Sequence, residues 1–353
     1  MSKQYYFECV KSLLELEERC DEISSLASRS FVDNPFFEPW FLIPAWRNLG
    51  SKLVEAVFVY QESQVGLRCF YPRICLPRPW CLVLWRHIYA YLSSPLFVKE
   101  LTHWPCPDNR ILSGDYIDSH SLDLFDSQSI ATWSEFSRRF ITRSDMVNGS
   151  AREVLLTTER QKDLRRKEKQ FILAGGGEVE ILSDIFQLSD WVEEFISLEA
   201  SGWKGKQGTA FASDLSHTRF FRELCLEAAK SGRLFFSRLN ASGARTIAMR
   251  CGVNSLSGHF AFKSAYNEDW GRFSPGMILE LASIDSVFGN KKIDFIDSCA
   301  APNATLFERL YPKKRSLKYI WIFNKNIINV AKVFMRRSLQ NLKKFYGQSS
   351  AVN

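Results

Sequence analysis

The stretch from Ser257 to Phe288 holds the residues best able to bind a charged ligand. In SGHFAFKSAY, the residues His259, Ala261, Lys263 and Ala265 alternate with Phe260, Phe262, Ser264 and Tyr266. A period of two predicts a strand with aromatic side chains on one face. After NEDWGRF the period changes: Met277, Leu279, Leu281, Ile284 and Val287 recur at helical spacing, and Gly289 stands where a helix stops. Ser274 falls at the N-cap position and Pro275 at the first helical position. A helix beginning there presents unpaired backbone N–H groups close to a strand end. The chemistry this supports is anion binding, of phosphate above all. An ordinary capped strand-to-helix connection has the same local signature, so the surrounding chain has to decide.

The elements that would position this turn are legible on both sides of it. Upstream, Gln187 to Ala200 predicts a helix carrying Trp191, Phe195 and Leu198, closed by Ser201-Gly202-Trp203-Lys204-Gly205. Leu215 to Lys230 predicts another helix. Strands at Leu234–Leu239, Thr246–Val253 and Gly258–Tyr266 form a three-strand meander. Downstream, KIDFID reads as a buried strand closing on Asp297, and Ser316 to Phe323 as the last strand. Before all of these comes ERQKDLRRKEKQFILAGGG, a helix anchored by Leu164 and Phe171 and ended by three glycines. Its basic excess is either a solvated face or, through Arg165, Arg166 and Lys169, the mouth of an anion-binding cleft.

The first part of the chain predicts an amphipathic helix over residues 8–28 and a second helical element opened by Asn34-Pro35-Phe36-Phe37. A hairpin follows, from Lys52 to Tyr60 and from Val65 to Tyr71. The proline-rich run 72–79 argues against a central strand there. Residues 101–121 read as loop and residues 130–141 as helix, with Trp133, Phe136 and Phe140 at helical spacing. Asn148-Gly149-Ser150 marks a domain boundary. The expected organisation is residues 1–150, residues 151–324, and a basic amphipathic helix and tail over residues 325–353.

Composition narrows the function classes. A chain of 353 residues exceeds what one hydrophobic core usually serves. The formal net charge of +7 suits an anionic ligand or a membrane surface and is too dispersed to argue for nucleic acid. Nine cysteines occur without a CxxC pair or a histidine at ligand spacing, so no metal site is expected. The N-terminus lacks a signal-peptide core and no apolar run is long enough to span a bilayer, which predicts a cytoplasmic protein with reduced thiols.

The element order, together with Asn34-Pro35-Phe36-Phe37, the KDLRRKEK helix, Leu198-Glu199-Ala200-Ser201-Gly202-Trp203-Lys204-Gly205, Leu239–Ala248, Phe262-Lys263-Ser264-Ala265-Tyr266, Phe273-Ser274-Pro275-Gly276 and Asp294–Asp297, resembles the CelD-like acetyltransferase-domain proteins associated with bacterial polysaccharide synthesis. These are GNAT-fold relatives of the FemAB peptidyltransferases. The resemblance covers almost the whole chain and implies an α+β protein with a mixed sheet, a tandem GNAT-like acyltransferase fold in two similar halves, with the active cleft in the second. It implies acetyl-CoA or another acyl-CoA as co-substrate. The pantetheine arm would lie along Phe262, Lys263 and Ser264, and the pyrophosphate would meet Ser274, Pro275, Gly276 and Met277. The loop before that helix carries Gly271 and Gly276 and no richer glycine run. After Asp297 the chain reads Ser298-Cys299-Ala300-Ala301-Pro302-Asn303, where the family usually has a glycine and later a Tyr-Lys pair.

Acyl transfer to an amine requires a proton acceptor and an oxyanion donor. The resemblance places a strand-edge N–H near Phe262–Lys263 as the donor. Glu199, Asp297 and His217 are the candidate bases, and Trp203, Lys204 and Tyr266 the candidate acceptor-binding residues. Three of these also have a plain structural reading: helix-surface charge for Glu199, a helix-start residue for His217, a core aromatic for Trp203. The expected activity is transfer of an acetyl or acyl group to an amino sugar or small metabolite. Two further readings stand beside it. One is a FemAB-like transferase using aminoacyl-tRNA, held by the Arg160–Lys169 helix and the basic tail. The other is a degenerate, non-catalytic scaffold whose C-terminal helix docks on a membrane or a partner.

Overall fold

The structure, a computed structural model, describes residues 5–62, 64–75, 81–101, 111–122, 129–243, 245–302 and 304–323. Contacts gather the chain into two compact units. Among the described residues, the first takes residues 5–37, 51–136 and 316–323; the second takes Glu38–Gly50 and residues 137–315. This differs from a single cut after residue 150, and packing explains why. The helix Pro39–Leu49 sends Phe41 against Phe220 and Phe262, each with ring centroids 5.7 Å apart, and Asn48 donates to Glu223 at 2.8 Å. At the other end, the strand Lys313–Phe323 pairs from Leu317 onward with the strand Ile111–Asp118 of the first unit. The amphipathic tail expected over 325–353 lies outside the described residues.

In the first unit the strands run in the spatial order Tyr5–Val10, Val54–Gln61, Gln64–Ile74, Cys81–Leu84, Ile111–Asp118 and Lys313–Phe323, with the short Leu96–Phe97 strand also paired to Gln64–Ile74. Val54–Gln61 is buried at every position, as a strand covered on both faces must be. Three expectations need correction here. Residues 8–28 are not one helix: Tyr5–Val10 pairs antiparallel with Val54–Gln61, and helices follow at Leu13–Glu17 and Cys20–Ala27. Tyr, Phe, Cys and Val favour the strand, while Leu16, Ile23 and Leu26 keep the helical face buried. The strand Gln64–Ile74 runs through Pro72, which lacks an N–H but whose carbonyl accepts from the Trp85 N–H at 2.9 Å. Ile111–Asp118 is a strand rather than loop.

Residues 129–142 form a strand, not a helix. The spacing of Trp133, Phe136 and Phe140 fits a helix, but the segment is rich in Thr, Ile and aromatic residues, and pairing decides. Within the second unit its end pairs antiparallel with the strand Phe295–Asp297, Ile141 opposite Ile296. From there the order continues Gly258–Tyr266, Arg245–Asn254, Leu234–Ala241 and Gly176–Ile181.

Helices cover both faces of the sheet in this unit. Phe236 packs on Trp191 and Phe195 of the helix Leu188–Ser201, while its neighbour Ser237 bonds Ser283 of the helix Pro275–Gly289 at 2.9 Å. Successive strand residues point to opposite faces, so the two helices sandwich the sheet. Gly258–Phe262 is therefore buried throughout and loses the one-sided aromatic pattern, which returns as exposure only from Lys263 onward. A buried tie crosses the sandwich: Arg250 donates to Glu280 at 3.0 Å, and the Tyr311 hydroxyl donates to the other Glu280 oxygen at 2.6 Å.

Candidate functional site

The site begins where two parallel strands part. Gly258, His259 and Phe260 pair with Phe295, Ile296 and Asp297. Beyond Phe260 this pairing ends, while the same strand continues to Tyr266, held on its other side by Arg245–Asn254, with Ala265 opposite Met249. After Asp297 the chain turns away through Cys299, whose φ of 51° is left-handed and uncommon outside glycine. The parting leaves Ala261–Tyr266 with one edge that no strand among the described residues covers, a row of backbone donors and acceptors.

The helix Pro275–Gly289 opens after this strand, with Pro275 at its first position as expected. Ser274 holds the N-cap position, as expected, but does not cap through its side chain. Its backbone is left-handed, at φ 59° and ψ 49°. Its hydroxyl instead accepts from the Lys167 ammonium at 3.2 Å. The Ser274 carbonyl takes the Met277 and Ile278 N–H groups, and Pro275 has none, so Gly276 supplies the N–H of this turn that the Ser274 carbonyl does not take. A β-carbon at Gly276 would meet nothing within 4 Å, so there is open space beside the backbone of this turn. An anion here would meet a helix N-terminus and a lysine together.

Beside the far end of the strand lies a cavity of about 140 Å³ whose lining includes Glu199, Trp203, Lys204, Ser264 and Tyr266. These are five of the residues singled out from the sequence. The turn that delivers them is sterically fixed: a side chain at Gly205 would collide with the Ala200 carbonyl. That turn brings the Lys204 ammonium back onto Glu199 Oε1 at 2.8 Å and onto the Ser264 carbonyl at 3.0 Å. The other Glu199 oxygen accepts from the Phe211 N–H at 2.9 Å, and the residue is only 2% exposed. Both carboxylate oxygens are thus engaged. Trp203 and Tyr266, half exposed, form the outer wall.

Lys263 is partly buried on the same strand, its ammonium 5.2 Å from the centre of the Phe211 ring. Its pKa is pulled down to about 8, by burial first and by the Lys204 charge second, with Glu199 opposing the shift. An amine titrating near neutrality, beside a cavity and an open strand edge, is suited to proton transfer.

Two predicted bases are placed apart from this cavity's lining. Asp297 is fully buried. Its Oδ2 takes Arg315 at 2.8 Å, its Oδ1 accepts the Cys299 N–H at 2.8 Å, and Arg138 lies 3.7 Å away. His217 sits in the first turn of the helix Leu215–Lys230, beside Asp214, which caps that helix through the Ser216 N–H at 2.7 Å. The Cys299 thiol is pushed well up by burial and by the Asp297 charge, which suits a packed thiol and not a nucleophile.

The basic helix Thr158–Leu173 contributes a residue other than those expected. Arg165, Arg166 and Lys169 are exposed, while Lys167 reaches Ser274. The signal was available: Leu164 and Phe171 define the inward face, and Lys167 lies three residues after the one and four before the other.

Residues 158–303 match the family model described as an acetyltransferase (GNAT) domain, a span that holds the cavity, the parting strands and the Pro275 helix. No curated protein matches the chain. Among solved structures, a conserved protein of unknown function from Bacteroides thetaiotaomicron VPI-5482 superposes at a TM-score of 0.54, with 12% identity over 91% of this chain and 100% of that one. FemX gives 0.54 with 6% identity, covering 87% of this chain and 96% of its own. The C-terminal (DUF2156) domain of a putative lysylphosphatidylglycerol synthetase from Agrobacterium fabrum gives 0.51 with 13% identity, over 90% and 95%. At these identities the likeness is one of fold. The chain has the expected α+β architecture with a mixed sheet, and the acetyltransferase-domain match falls within its second unit.

Proposed function

We propose that the second unit is an N-acyltransferase that moves an acetyl or longer acyl group from acyl-CoA to an amine. An amino sugar or small metabolite would be the acceptor, and polysaccharide synthesis of the CelD-like kind the setting. The observation that carries this reading is the parting of the strands after Phe260 and Asp297, with the Gly276 N–H and Lys167 at the next helix tip. A pantetheine arm is an extended chain with two amides, and an uncovered strand edge bonds such a chain as it would bond another strand. The helix tip and Lys167 suit a pyrophosphate.

When bound, the thioester supplies the activated acyl carbon. The protein's own part is threefold. A backbone N–H of Phe262–Lys263 polarises the acyl carbonyl. Glu199 acts as a positioning residue, fixing Lys204 against the strand. Lys263 takes the proton from the acceptor amine, which Trp203 and Tyr266 enclose. In this assignment Lys263 replaces Glu199, Asp297 and His217 as the base, because the two carboxylates are engaged by cations and Lys263, unlike His217, stands on the parting strand itself, next to Ser264 of the cavity lining.

Calorimetric titration of acetyl-CoA and CoA tests the reading, with Gly276→Asp as the comparison. The native chain should bind both ligands at micromolar concentration. The variant should weaken binding by roughly a hundredfold or more, since a carboxylate enters the open space beside the turn that would hold the pyrophosphate. Asp in the first helical turn favours the helix dipole, so the loss would not come from unfolding. If neither ligand binds the native chain, the acyl-CoA reading fails.

The fold likeness to FemX and the exposed Arg165, Arg166 and Lys169 favour a second reading, FemAB-like transfer from aminoacyl-tRNA. It expects salt-sensitive tRNA binding that reversing those three charges abolishes and Gly276→Asp leaves intact.

A further inference from the structure

The first unit holds a cavity that the acyltransferase reading does not use. Its volume is about 360 Å³, and Arg29, Gln64, Arg68, Val98, Lys99 and Glu100 line it. The fold brings these residues together by pairing: Cys69 lies opposite Phe97, and the Val98 N–H donates to the Arg68 carbonyl at 3.1 Å. Arg29 is held in place by donating to the Leu67 carbonyl at 2.9 Å. Three cationic side chains therefore face one carboxylate.

Arg68 is the unusual member. It is 7% exposed, yet its carboxylate contact is with Glu100, at 3.4 Å, and the Glu100 side chain is 71% exposed. Its Nε has no hydrogen-bond partner among the described residues. The Tyr5 hydroxyl is also buried without one there, and it lies near enough to feel the Arg68 charge, which opposes the upward push of burial on its pKa. A desolvated guanidinium with one long, solvent-exposed partner is costly. A dianion offsets that cost, because a phosphate accepts the fork of a guanidinium and further donors at once. A carboxylate or chloride would leave part of the positive charge unbalanced.

We propose that this cavity binds a phosphate-bearing ligand, the terminal phosphate of a monoester or diphosphate, held by Arg29, Arg68 and Lys99. The space beyond the phosphate admits a substituent, so a phosphorylated small molecule fits as well as the free ion.

The test uses the full chain carrying Gly276→Asp, so that phosphate at the helix tip of the second unit cannot be mistaken for it. Inorganic phosphate and glycerol phosphate are titrated calorimetrically and by thermal shift, with sodium chloride at matched ionic strength as the control. Both phosphates should bind at millimolar concentration or below, with glycerol phosphate the tighter ligand if a monoester is the natural one. Lys99→Glu, at an exposed position that does not threaten folding, and Arg68→Lys, which keeps the charge and removes the fork, should each weaken binding roughly tenfold or more. The proposal is overturned if neither phosphate binds beyond the chloride control, or if both variants bind as the parent does. Weakening by Lys99→Glu with Arg68→Lys unchanged also overturns it, because that pattern is surface attraction without a built site.

Discussion

Asp297→Ala should cost about 3–5 kcal/mol of unfolding free energy in a urea titration, the range for breaking a buried ion pair from one side. Its carboxylate lies between Arg315 and Arg138, which are 14% and 1% exposed at their side chains, and it is itself fully buried. Removing it takes the carboxylate away from one buried and one largely buried guanidinium group. It also removes the acceptor for the Cys299 N–H, the two-residue bridge that holds Cys299 in its left-handed conformation and turns the chain away from the parting strands. Asp297→Asn separates this role from a catalytic one. Asparagine keeps the acceptor for the Cys299 N–H but not the charge, so stability should fall by a smaller but clear margin. Whatever activity the folded fraction retains should be close to native. If Asp297 were the base, the same variant would be well folded and inactive. Native stability together with lost turnover would therefore return Asp297 to the catalytic group.

The second unit was largely legible in the sequence because its periods are unmixed. The helix Leu215–Lys230 and the strand Gly258–Tyr266 stand where alternation and helical spacing put them. The strand Ser129–Thr142 was not legible: aromatic residues three and four apart satisfy a helix template, and only pairing with residues more than 150 positions away reveals the strand. The same distance hid the role of Asp297. Its partners come from positions 138 and 315, which no local pattern joins to it. The Ser-Pro-Gly turn was read correctly as a helix start, but the left-handed backbone of Ser274 turns its hydroxyl from capping to receiving Lys167, a detail of direction that residue type does not encode. Glu199 and Lys204 lie five residues apart, a spacing that faces no helix turn. Only the break at Gly202 lets the ammonium fold back onto the carboxylate.

The pH dependence of turnover should follow from Lys263. Its neutral form takes the proton, so kcat/KM should rise about tenfold per pH unit on the acid side, bend near pH 8 and level off above it. Lys263→Ala should lower kcat/KM by roughly a hundredfold or more while leaving CoA affinity near native, since the helix tip that grips the pyrophosphate is untouched. An acceptor amine also loses a proton as pH rises and would give a similar limb. Lys204→Met separates the two. Removing Lys204 takes away a cation that holds the Lys263 pKa down and leaves Glu199 uncompensated, and both changes push that pKa up. The bend should therefore move to higher pH. A limb belonging to the acceptor would stay in place under Lys204→Met and would persist, with lower amplitude, in Lys263→Ala. That outcome would leave Lys263 a charge that orients the acceptor, with the proton passing to water.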